Sequence, residues 1–180
     1  MGKIITFTGH RPEGLYGTNY MANGNRQALL TVRQIIEDKI VNEDVDTFYT
    51  GMARGFDQWA ARIVIALRHK YKHIKIIAVL PCLRQDKKWS YEDKRDYGDI
   101  LELCDDVNYL NFKEYYNGCM IERDHYMVEH CDEVIALFNG QKRSGTSATI
   151  NHAKRQGKPL TIVKLQDLSI EYFDNQVIPV

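Results

Sequence analysis

No excess of either charge marks this 180-residue chain: Lys and Arg total 24, and so do Asp and Glu. That balance argues against general nucleic-acid binding, which is driven by a basic surface. No apolar run approaches the length of a membrane span, and a strand-like pattern begins within a few residues of the first methionine. Neither a membrane anchor nor a signal peptide is therefore expected. Cysteine is sparse and scattered. Cys82, Cys104, Cys119 and Cys131 form no C-x-x-C pair and no zinc-ribbon spacing, so no metal ion is expected. Their isolation fits buried thiols in a reduced, cytoplasmic protein. No cofactor is expected. Repeats, linkers and low-complexity stretches are also missing, and 44% hydrophobic content suits a single domain over residues 1–180 with a substantial core.

What is present is alternation. Short β-rich runs at 3–8, 47–50, 74–80, 107–110, 133–138 and 159–164 are separated by helical spacings at about 22–41, 56–71, 119–130 and 147–156. A further polar helix carries Trp89, Tyr97, Ile100, Leu101 and Leu103, and residues 165–180 read as a packed tail. The run at 74–80 is apolar except at Lys75, as expected of a central parallel strand covered on both faces. Repeated strand–helix–strand order predicts an α/β, Rossmann-like, three-layer α/β/α fold with a mostly parallel sheet. Ligands of such sheets bind beyond the carboxyl ends of the strands.

Three glycine-cut loops fall at such ends: Thr8-Gly9-His10-Arg11-Pro12, Thr50-Gly51-Met52-Ala53-Arg54-Gly55, and Asn139 to Thr146. Glycine permits close backbone approach, helix N-termini present unpaired N–H groups, and arginine offers forked donors. Together they suggest an anion site. The third loop, from Gly140 through Ser144-Gly145-Thr146, nearly spells a P-loop but has Thr146 in place of the phosphate-binding lysine. It suits a monophosphate or pyrophosphate, or else a plain strand-to-helix turn in which Thr146 or Ser147 caps the helix. In the second loop Arg54 would face phosphate. Asp57 would accept from a ribose hydroxyl or simply oppose the helix dipole. His10 is a candidate acid–base group or a loop histidine bonded to backbone. Arg123 shares a helix edge with Met120 and Met127, so it leans towards the sheet and needs an anionic partner; Glu122, Asp124 and Glu129 offer internal ones. After the strongest strand, Pro81 leads to Gln85, positioned to contact a base edge, and to Trp89, which would stack on a base or pack.

The Gly9-His10-Arg11-Pro12 loop, the segment Gly51 to Ala61 and the Pro81…Gln85…Trp89 stretch resemble the YpsA-like branch of the SLOG superfamily. That superfamily comprises Rossmann-like domains related to Smf/DprA and the LOG (Lonely Guy) proteins. The resemblance extends from the first strand to about Val163. The second half also resembles LOG phosphoribohydrolases, which cleave the N-glycosidic bond of nucleoside monophosphates with an arginine and a glutamate. It implies that Arg123 stands at the catalytic arginine and Gly145-Thr146 at the phosphate loop, while the glutamate position falls at Thr149. It also implies homo-oligomerisation. A threonine can neither stabilise an oxocarbenium-like state nor activate water.

These observations favour a protein that binds a nucleotide or nucleotide derivative, such as a nucleoside monophosphate or an ADP-ribose-like molecule, as a sensor or regulator. Backbone amides at Gly9, Gly51 and Gly145, with Ser144 and Thr146, would hold phosphate, and Gly55 and Gly140 would also contact the ligand. Arg11, Arg54 and Arg123 would supply charge, and Asp57 or Gln85 would select ribose or base. An N-glycosidase using Arg123 and His10 with a rearranged carboxylate (Glu122 or Asp57) is the second reading. A partner-binding regulator with a vestigial pocket is the third.

Overall fold

The computed structural model describes residues 2–174. Strand β1 (Lys3–Gly9) leads through a 3₁₀ turn (Pro12–Gly14) to helix α1 (Asn23–Asn42). Then follow β2 (Val45–Thr50), α2 (Phe56–Leu67), β3 (Lys75–Leu80), α3 (Tyr91–Leu103) and β4 (Asp106–Tyr109). The second half comprises α4 (Cys119–Glu129), β5 (Glu133–Phe138), α5 (Gly145–Arg155), β6 (Leu160–Lys164) and β7 (Ile170–Phe173). The strands form one seven-stranded sheet in the order β4-β3-β2-β1-β5-β6-β7. Every neighbouring pair is parallel except β6 and β7.

Period-two alternation builds the layers. In β5, Ile135 and Leu137 join the core beneath α1 and α2 with Ile5, Phe7, Phe48 and Ile76. Val134 and Ala136, on the opposite face, pack with Val128 of α4 and Ile150 and Ala153 of α5. A strand buried on both faces is apolar wherever its side chains lack partners, as from Val134 to Phe138; buried Glu133 at its start is paired with Lys39 and accepts from the Thr161 hydroxyl. The expected Rossmann-like three-layer fold is what the chain adopts.

Boundary differences have local causes. Helix α5 starts at Gly145, two residues before the expected 147, because Ser144 is its N-cap: the Ser144 hydroxyl accepts from the Ser147 amide at 3.1 Å. Likewise α3 starts after Ser90, which caps it through the Asp93 amide at 3.1 Å, so Trp89 lies just before the helix. Helix α2 ends at Leu67 and residues 68–71 form a hydrogen-bonded turn. Part of the expected tail is an edge strand, β7, and its last residues, 175–180, lie outside the described residues.

One topological fact positions the site. The chain builds outward from β1 to β4, then crosses back through α4 to lay β5 on the other side of β1. The connections at β1 and β5 therefore run to opposite faces and leave a crevice beyond their carboxyl ends.

Candidate functional site

A cavity of about 540 Å³ occupies that crevice. Its walls come from the loop after β1 (His10, Arg11), the start of α2 (Asp57), helix α4 (Arg123, Asp124) and the first turn of α5 (Gly145, Thr146). Residues far apart in sequence meet here because each follows or packs against a strand end at the switch point.

Arg123 is the keystone of the inner wall. It is only 4% exposed. Its Nε donates to Asp124 Oδ1 at 2.7 Å, and Nη1 donates to the Gly51 carbonyl. Burial opposes its charge, yet the Asp124 and Asp57 carboxylates hold its pKa above the ordinary value. Gly51 is required by this approach, since a Cβ there would fall on the guanidinium. Asp124 is the internal partner that sequence reasoning considered, but it also faces the cavity, a role that the helical spacing did not reveal.

Asp57 is 5% exposed, and its Oδ2 accepts from the Ala53 amide at 3.4 Å. Burial pushes its carboxyl up to about 7, against the pull of Arg123. The loop between β2 and α2 is pinned rigidly. Gln58 Nε2 donates to the Met52 carbonyl at 3.2 Å and Gln85 Nε2 to the Gly51 carbonyl at 3.3 Å. Met52 is held at φ 57°, an uncommon conformation for a side-chain-bearing residue outside a functional loop. At Gly55, φ is 88° and a Cβ would lie 2.6 Å from the His10 carbonyl, so only glycine closes the first two loops together.

His10 lines the cavity, but its Nε2 accepts from the Asn139 amide at 3.2 Å and its ring stacks on Phe138 at 5.7 Å. Burial lowers its pKa, so the neutral ring ties the β1 loop to the end of β5. Nδ1 is the nitrogen left to meet a ligand.

Several expected contacts lie elsewhere. Gln85 is buried beneath the second loop, bonded to Gly51 and, at 3.2 Å, to the Tyr97 hydroxyl. It shapes the loop and does not line the cavity. Arg54 turns to the rim, with Nε 3.0 Å from Asp93 Oδ2 and Nη1 3.6 Å from Glu13 Oε1. Pro81 is buried with its carbonyl accepting from Asn111 at 2.8 Å, and Trp89 packs edge-on against Tyr97. Gly140, at φ 84°, and the capping Ser144 border neighbouring clefts instead. Gly9 lines the cavity, but its lack of a side chain also serves packing, because a Cβ would strike the Phe56 ring.

At Thr149 in α5, where the resemblance places a glutamate, the structure supplies a neighbour that the sequence did not suggest. Thr149 is buried, and its hydroxyl lies 3.4 Å from Asp124 Oδ2 and 3.0 Å from the Gly145 carbonyl. A carboxylate is therefore present beside position 149, but α4 delivers it. Glu122, one of the substitutes considered from sequence, points away and accepts from the exposed Tyr116 hydroxyl. Among the described residues, no group of three or more His, Cys, Asp or Glu side chains could hold a metal ion, and no helix is long and apolar enough to cross a membrane.

The fold and this geometry have relatives. An uncharacterized SPbeta prophage-derived protein, YoqJ of Bacillus subtilis, is 33% identical over 132 residues, which is 67% of this chain and 77% of that protein. A UPF0398 protein of Halalkalibacterium halodurans is 26% identical over 158 residues, 86% of this chain and 82% of the relative. Among solved structures, DNA processing protein A of Helicobacter pylori matches with a TM-score of 0.60 at 16% identity over 89% of this chain, which spans only 65% of that protein's length.

That last protein is described as having a single-stranded DNA binding mode. It overturns the expectation that formal neutrality argues against general nucleic-acid binding. Net charge sums the whole surface, whereas a nucleic acid responds to the local field of one groove, so the sum excludes nothing on this fold. The family model of the YspA SLOG family matches residues 5–168, nearly the whole chain. The chain belongs to the YspA SLOG family, as its YpsA-like loops imply.

Proposed function

We propose that this protein binds a small phosphate-bearing ligand, a nucleotide or nucleotide derivative, in the switch-point crevice. The observation that carries this reading is the convergence of unlike partners on one cavity of about 540 Å³. Cationic Arg11 stands at its mouth, the amide-bearing start of α5 on one side, and buried Asp57 with the Arg123–Asp124 ion pair on its inner wall. Its size is in the range of pockets for drug-sized ligands. Phosphate oxygens suit the α5 N-terminus and Arg11, while Asp57 suits a ribose hydroxyl. The free thiols of Cys82, Cys104, Cys119 and Cys131 fit work in a reducing, cytoplasmic setting.

The test is a thermal-shift and calorimetry panel of adenosine, adenosine monophosphate, ADP-ribose and inorganic phosphate. A true ligand at about 100 times its Kd stabilises by roughly 2.7 kcal/mol. Phosphate-bearing compounds should shift the melting temperature and adenosine should not. No shift with any of them at high concentration would sink the proposal.

One observation favours a second reading, hydrolysis of an N-glycosidic bond. Asp124 and Asp57 both line the cavity beside Arg123, so the carboxylate missing at Thr149 has candidate replacements. Either carboxylate would stabilise positive charge developing on the ribose or activate water. Chromatography of adenosine monophosphate after incubation checks this: free base should form, and Asp124→Asn should abolish it. Release that persists undiminished in Asp124→Asn and Asp57→Asn excludes these carboxylates.

A further inference from the structure

The outer face of α1 and α2 carries an apolar groove of about 300 Å³ that shares no lining residue with the crevice. Met21, Leu30 and Tyr20 line it while standing 57%, 45% and 44% exposed, and Leu29 and Ile63 form its half-buried floor. Three arginines ring it: Arg26 and Arg33 on α1, and Arg62 on α2. No acidic residue lines it, and none of the three arginines makes an ion pair among the described residues. The nearest acid on α1, Glu37, feels the charge of Arg33 but accepts its hydrogen bonds from Lys70 Nζ and the Tyr71 hydroxyl, each at 2.7 Å. Apolar surface of this kind costs free energy in water, and arginines around it that make no close ion pair select what covers it.

Charge complementarity decides among occupants. A second copy using the same face would bring two sets of three arginines together, which like-charge repulsion opposes. A single-stranded nucleic acid needs open aromatic faces for its bases. Here Trp59 is buried, and the Arg62 guanidinium lies 6.0 Å above the Tyr20 ring. The floor is mostly aliphatic, so bases gain little. An amphipathic helix does fit: it lays an apolar stripe into such a groove, and carboxylates two turns apart match Arg26 and Arg33, which are about 10 Å apart along α1.

We propose that the α1–α2 groove docks an acidic amphipathic helix of a partner protein, with its apolar stripe on Met21, Leu30 and Ile63 and its carboxylates on Arg26, Arg33 and Arg62. This surface is independent of the crevice, so the two are tested separately.

The test uses fluorescence anisotropy with a labelled acidic amphipathic peptide of about 20 residues. Its basic counterpart with the same apolar stripe and a thymidine oligonucleotide are the controls. The acidic peptide should bind at least about ten-fold more tightly than the basic one, and less tightly as salt rises. Leu30→Asp and the double variant Arg26→Glu/Arg33→Glu change exposed residues, so both should keep the wild-type melting temperature. Each should weaken the acidic peptide about ten-fold or more. Any of three results would overturn the proposal: equal binding of the basic peptide, acidic-peptide binding unchanged in both variants, or an oligonucleotide that binds with the same sensitivity to them. A dimer seen in sedimentation and lost in Leu30→Asp would assign the face to self-association and overturn it equally.

Discussion

Arg123 and Arg54 are both expected from the sequence to give charge to one anion site, yet the fold puts them to opposite uses. Arg123 lies at the floor of the crevice, buried between Asp124 and the Gly51 carbonyl with Asp57 nearby. Arg54 lies on the rim, a quarter exposed at its side chain, against the partly exposed carboxylates of Asp93 at 3.0 Å and Glu13 at 3.6 Å. The contrast shows that burial, more than residue type, decides which charges organise a site. In low dielectric each charge constrains its neighbours, whereas at the rim solvent screens it.

The largest test of this contrast is Arg123→Ala. It leaves Asp57 and Asp124 without their cation and the Gly51 carbonyl without its donor, so it should cost about 3–5 kcal/mol in denaturant unfolding. A loss below about 1 kcal/mol would place Arg123 in the same class as the rim.

Next comes the pH dependence of Asp57. Its folded pKa, about 7, lies above the unfolded carboxylate value, so the folded state holds the proton more tightly. The resulting stabilisation is full below about pH 4 and is lost as pH rises towards 7, amounting to roughly 4 kcal/mol at most. Other carboxylates add opposing slopes, so the comparison with Asp57→Asn isolates this one. Melting curves at pH 5 and pH 8 should show the variant gaining on the wild type at the higher pH. Equal differences at both would mean that Asp57 is solvated. For the same reason a phosphate-bearing ligand placed near Asp57 should bind more weakly as pH rises past 7, which calorimetry across that range would read.

Gly55→Ala comes third. The alanine would have to keep φ near 88° with its Cβ against the His10 carbonyl, so a loss of about 1–3 kcal/mol is expected, with ligand affinity falling alongside. The smallest effect belongs to Arg54→Ala, which should change stability by less than about 1 kcal/mol and leave ligand affinity close to wild type. If Arg54→Ala instead removed ligand binding, the rim would be part of the site and the contrast would collapse.

Much of the fold was legible because its signals are local. The largely apolar runs at 74–80 and 133–138 became buried strands, and the helical spacings between the runs became the covering layers. The ends of α5 and α3 were less legible. Ser144 and Ser90 cap them through amides three residues on, and any of several nearby hydroxyls would serve equally in the sequence. In the site, the convergence of the β1 and β2 loops and the start of α5 follows from strand order alone. The destination of each polar side chain does not. Gln85 turned inward to support a loop, Arg54 turned to carboxylates on other elements, and Asp124 came to face the cavity beside Thr149.

By itself the sequence determined the alternating α/β architecture, the placement of glycine loops at strand ends, and the family, since these depend on spacing and short-range backbone preferences. Only the tertiary structure decided which charges are buried, where the carboxylate near Thr149 comes from, and that an arginine-ringed groove stands open on α1 and α2. Those outcomes depend on contacts between residues dozens of positions apart, because desolvation and pairing are properties of an environment that many elements build together.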